Sequence, residues 1–152
     1  MDPEPRPTLT LTVQRASRTT DQPTTRQLRR WARAALGTSA RLTIRLVDSR
    51  EGQRMNREFR HKDYPTNVLT FVYGEMDNAL EGDLVLCAPV VKREARAQKK
   101  PLAHHYAHLV VHGLLHLQGY DHESHRDATR MEALEIEILE RLSIPDPYFL
   151  TH

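Results

Sequence analysis

Polar and apolar residues alternate along Thr8-Leu9-Thr10-Leu11-Thr12-Val13-Gln14, the period-two pattern of a strand with one buried face. The same alternation returns at residues 41–47 (Arg-Leu-Thr-Ile-Arg-Leu-Val). Between them the period lengthens. Leu28, Trp31, Ala32 and Leu36 fall on one face of a helix that Thr24 or Thr25 can cap and Gly37 can stop. Asp48 or Ser49 can cap a second helix over residues 50–60, with Met55 and Phe59 inward, and Pro65 breaks any continuation of it. Val68 to Tyr73 reads as a strand, Gly74 to Asn78 as a polar turn, and Gly82 to Cys87 as the next strand. Pro89 suits the first turn of a helix that runs to Gln98. A long helical pattern covers Leu102 to Gln118. Another covers 124–142, with Met131, Leu134, Ile138 and Leu142 apolar and with Pro145 and Pro147 beyond its end. The order β-α-β-α-β-β-α-α-α predicts an α/β fold: one compact domain over 1–152, a small mixed sheet of about four strands backed by about five helices, with residues 1–7 flexible.

The long helix carries His104, His105, His108, His112 and His116. His112 and His116 are one turn apart on one face. Gly119 can take a left-handed conformation, end the helix and bring His122 back toward them. Three neutral imidazoles and one open position make the ligand set of a catalytic zinc site. The spacing is that of the long metzincin motif, H-E-x-x-H-x-x-G-x-x-H, with Gly113 where those proteases carry a general-base Glu. Nine histidines in 152 residues would give this spacing, glycine included, by chance in about 0.1% of chains, so a merely His-rich helix end accounts for it poorly. His105, His108 and His125 read as surface or supporting side chains, not ligands. Cys87 reads as a small buried hydrophobe at a strand end.

Composition narrows the class. The chain has 39% hydrophobic and 28% charged residues, enough for a globular core. It has no apolar run near membrane-spanning length, and its N-terminus lacks the pattern of a secretory signal. The single cysteine cannot form an internal disulfide, and the expected compartment is the cytoplasm. Net charge is only +2, yet it is unevenly spread. Arg26, Arg29, Arg30 and Arg33 make one basic stretch; Lys92, Arg93, Arg96, Lys99 and Lys100 make another, with Glu94 its only acid. Such faces attract phosphate backbones, although each taken alone reads as a solvated helix face.

Three blocks of sequence carry a resemblance. His112-Gly113-x-Leu-His116-Leu-x-Gly119-Tyr120-Asp121-His122 is similar to the signature of the YbeY family. Asn56-Arg57-Glu58-Phe59-Arg60, followed by Pro65-Thr66-Asn67-Val68-Leu69-Thr70-Phe71, resembles that family's N-x-x-[YF]-R-x-x-x-x-P-T-[DN]-V-L-[ST]-F segment. Gly82-Asp83-Leu84 resembles its G-D-[IL] strand. The resemblance spans residues 40–148, in family order. It implies a metal-dependent, single-strand-specific endoribonuclease acting in ribosomal RNA processing, in 3′-end maturation of the small-subunit rRNA and in ribosome quality control. The implied partners are single-stranded RNA, rRNA precursors and the ribosome or its small-subunit proteins, with no membrane. It also implies that His112, His116 and His122 hold Zn2+ and that Arg60 is essential.

Taken without the family, Arg60 is a cation complementing the end of a helix dipole. With it, the guanidinium becomes the group that steadies charge on the phosphate, since it stays charged and can bond two oxygens at once. The general base stays open: a metal-activated water can act for itself, or a carboxylate can serve, although Asp121 suits an orienting role equally well. The nucleophile is open too, between that water and the RNA 2′-hydroxyl. Three His also suit other divalent metals. Thr66 and Asn67 can line the cleft or shape a turn. The competing reading is a zinc-stabilised RNA-binding assembly factor with little catalysis, which a fourth protein ligand such as His125 would favour. A metalloprotease ranks behind both, because Gly113 removes its base.

Overall fold

The computed structural model describes residues 6–121 and 123–149. The expected flexible stretch at 1–7 falls largely outside them, as does His122. The elements are β1 (Leu9–Arg15), α1 (Thr25–Ala35), β2 (Ala40–Val47), α2 (Ser49–Arg60), β3 (Val68–Met76), β4 (Ala79–Cys87), α3 (Ala88–Ala97), α4 (Leu102–Leu117) and α5 (His125–Arg141). The order matches the one expected from the pattern. The strands form one mixed sheet, β1-β2-β4-β3. β1 and β4 flank β2 in parallel, and β3 runs antiparallel to β4 on the edge.

Alternation along β2 divides the core between two faces. Ala40, Leu42, Ile44 and Leu46, with Leu80, Leu84 and Leu86 of β4, meet α1, α4 and α5 in the main cluster. On the other face Val47, Leu69, Val85 and Cys87 meet Val90, with Met55 of α2 packed against them. Cys87 is buried at the end of its strand, as its surroundings in the sequence suggested. α1 begins with a complete capping box, Thr24 and Gln27 each accepting a backbone N–H of the other.

Four local expectations need correction. β3 runs on to Met76, and the turn shrinks to Asp77-Asn78, both at positive φ, the two-residue loop that matches the twist of a hairpin. Asp48 stands at the N-cap of α2, but its carboxylate accepts from Ser17, Arg18 and Thr19 instead of capping. Phe59 is 52% exposed, and its ring meets Phe71 edge-on, 5.3 Å between centroids. α1 ends at Ala35, with Leu36 extended, before Gly37 is reached.

Candidate functional site

α4 is apolar on most of its surface and runs through the molecule against the sheet, α1 and α5. Gly113 permits its close approach. A Cβ there would lie 2.2 Å from Leu84 Cδ1 and 3.4 Å from Thr70 Cγ2. The position that holds the base in the protease motif therefore faces the sheet, and a carboxylate side chain has no room there. After Leu117 the helix ends as expected. Gly119 has φ +102°, Gly119 N–H donates to His116 O and Tyr120 N–H to Leu115 O, the paired bonds of a Schellman ending.

His112 and His116 open onto one cleft of about 160 Å³, lined also by Arg60, Val68, Leu69 and Thr70. The last residue of α2 thus meets two histidines of α4 across the edge strand, some fifty residues away in sequence. Arg60 Nη2 donates to Thr70 O at 2.8 Å, and its guanidinium carbon lies 5.5 Å from the centre of the Phe71 ring. One of five N–H donors is used in that bond. Asn67, which could have lined the cleft, turns away from it: its side chain donates to Glu94 Oε1 at 3.0 Å.

Behind His112 is a carboxylate that reading the sequence missed. Glu135 of α5 is 0% exposed. It accepts from His112 Nδ1 and from the Tyr148 hydroxyl, and His108 Nε2 stands 3.5 Å away. Burial opposes its charge, but the nearby His108 and the hydrogen bonds from His112 and Tyr148 prevail and hold its pKa at about 2. A signal for it was present. Met131, Ile138 and Leu142 mark the apolar stripe of α5, and Glu135 falls on the same stripe, four residues after Met131. Tyr148 follows the last helix and had no such signal.

The remaining histidines separate. His105 is not a surface side chain: it is buried and pairs through Nε2 with Glu94 Oε1 at 3.0 Å. Burial opposes the charge of Glu94, but hydrogen bonds from His105 and Asn67 outweigh it and keep the carboxyl below its ordinary value. His108 supports Glu135. His125 is exposed at the first turn of α5. Asp121 accepts the Glu123 N–H at 3.2 Å. Among the described residues no three His, Cys, Asp or Glu side chains converge as a ligand set, and the third histidine of the motif, His122, lies outside them.

No helix among the described residues is long and apolar enough to cross a membrane. The fold is similar to the solution structure of TM1509 from Thermotoga maritima, with a TM-score of 0.55 at 24% identity over 88% of this chain and 91% of that one. The family model described as endoribonuclease YbeY matches residues 12–143. The endoribonuclease YbeY of Thiobacillus denitrificans is 59% identical over 143 residues, 93% of this chain and 97% of its own. That of Acidovorax sp. is 62% identical over 120 residues, 78% of each chain, and that of Nitrosomonas europaea 55% identical over 144 residues, 95% of this chain and 87% of its own. Sequence match and fold agree, and the chain belongs to the endoribonuclease YbeY family.

Proposed function

We propose that this chain is a zinc-dependent endoribonuclease that cuts single-stranded RNA, acting on ribosomal RNA precursors and in ribosome quality control. The observation that carries the reading is the shared cleft of His112, His116 and Arg60, with a buried carboxylate clamped to the far nitrogen of His112. With Nδ1 donating to Glu135, the neutral His112 ring keeps its other nitrogen unprotonated, the state a metal ligand needs. The donor set therefore fits a zinc ion held by His112, His116 and His122. Bound there, zinc supplies a Lewis acid and a water of lowered pKa. Arg60 is the anion-binding partner: its tie to Thr70 O limits where the guanidinium can go, and its remaining donors suit the non-bridging oxygens of a phosphodiester. Gly113 offers no base, so proton removal falls to another group of the site or of the RNA. The ribosome and its small-subunit proteins are the partners this role entails.

The test is cleavage of single-stranded RNA by highly purified protein, with metal content measured, beside His116→Ala and Arg60→Glu. Wild type should cleave. His116→Ala should lose metal and cleavage together; Arg60→Glu should keep the metal and lose cleavage. Equal residual cleavage in all three would point to a contaminating nuclease and sink the reading.

A further inference from the structure

The segment after α5 returns to the site. Ser143, at φ 62°, turns the chain, and Ile144 N–H closes the helix on Leu139 O at 2.9 Å. Lys100 Nζ then holds Pro147 O at 2.7 Å, and Pro147 is buried. This brings Tyr148 edge-on to His108, 5.3 Å between ring centroids, with its hydroxyl on Glu135 Oε2.

Counting donors orients the whole network. A carboxylate only accepts, so His112 Nδ1 and the Tyr148 hydroxyl must each give it a proton. The Tyr148 hydroxyl has one proton and commits it there. It can therefore only accept from His108 Nε2, 3.2 Å away, so that nitrogen carries a hydrogen. His108 Nδ1 is buried and has no partner among the described residues. A bare nitrogen is the less costly occupant of such a place, because a buried N–H without an acceptor forfeits a hydrogen bond. Burial and the neighbouring Glu135 push the Tyr148 pKa upward, which keeps the hydroxyl a donor.

We infer that Tyr148 is a positioning residue: its hydroxyl, held by His108 and donating to Glu135 Oε2, fixes the carboxylate that sets the ring orientation and tautomer of His112. The segment after α5 thereby acts on the metal site through Glu135. This inference rests on the reading of His112 as a metal ligand.

The test compares the full chain with Tyr148→Phe. Zinc affinity is measured by competition with a chromophoric chelator, the tautomers of His108 and His112 by 15N–1H correlation spectra of the metal-free proteins, and the metal-free melting temperature beside them. Tyr148→Phe should bind zinc about tenfold more weakly and show a mixed His112 tautomer, with Tm lowered by only a few degrees. Wild-type affinity and an unchanged tautomer would overturn the assignment even if Tm fell, since a merely structural tyrosine moves Tm alone. The wild-type spectrum is an independent check that no folding defect can obscure: His108 must carry its proton on Nε2, and a proton on Nδ1 overturns the donor chain. Wild type that binds no zinc would remove the metal reading, while the His112 tautomer in Tyr148→Phe would still decide the role of Tyr148.

Discussion

Replacing Gly113 by Ala adds one methyl group between α4 and the sheet. That carbon would stand 2.2 Å from Leu84 Cδ1, against an optimal carbon–carbon separation of about 3.5–4.0 Å. Leu84 is 0% exposed, so it has no solvent to swing into. Either it leaves its rotamer inside a close-packed core or α4 moves outward by about 1 Å or more. Overpacking of this kind costs about 1–3 kcal/mol, and the better helix propensity of Ala returns about 1 kcal/mol. The net loss is up to about 2 kcal/mol, or about 4–8 °C in Tm for a chain of this size. The larger effect is geometric. His112 and His116 ride on the helix that moves, whereas Arg60 is tied to β3. Misplacement by about 1 Å can cost about a hundredfold in rate, so cleavage should fall far more than stability. The assays are thermal unfolding by circular dichroism and initial rates on a single-stranded oligonucleotide. Adding Leu84→Ala removes the clashing atom, so the double variant should lose less stability than the two single losses summed. Gly113→Ala with a Tm at or above wild type and an unchanged rate would refute this reasoning, because helix propensity alone would then explain the site.

Gly113→Glu should not yield a peptidase: its side chain would be driven into Leu84, and zinc-stimulated peptide cleavage by this variant would overturn that. Chelation should abolish RNA cleavage and added zinc restore it; cleavage indifferent to chelators would contradict the metal reading. Thr24→Ala removes one half of the capping box and should cost about 1 kcal/mol, read as a small drop in Tm with unchanged cleavage. Glu94 has its pKa lowered in the folded state, so its stabilisation is present above the ordinary carboxylate value and is lost as pH falls through the depressed one. Glu94→Gln should therefore flatten the dependence of Tm on pH below about pH 4.5; parallel curves for variant and wild type would show that Glu94 is not the group responsible.

The long regular elements were legible because each has a period. Two alternating strands, the face of α1 and the α4–α5 pair follow from positions in the sequence alone. The features that went unread are those where a neighbour overrode a local preference. Asp48 reads as a cap, yet the loop after β1 presents it with better donors. Phe59 reads as core, yet its ring ends half exposed, edge-on to Phe71 of the edge strand. Gly74 reads as the turn, yet it sits at an irregularity inside β3, and the hairpin closes at Asp77-Asn78.

The sequence by itself determined the elements, their order, the end of α4 at Gly119 and the histidine spacing on one helical face, because these depend on residues within a turn or two of each other. Tertiary structure decided everything that joins distant segments. It put Arg60 of α2 across the edge strand from His112 and His116. It turned Gly113 into a contact surface rather than a missing base. It also buried Glu135 behind His112, with Tyr148 and His108 around it. A buried carboxylate persists only where donors reach it, and those donors come from α4 and the C-terminal tail, whose meeting no local pattern encodes.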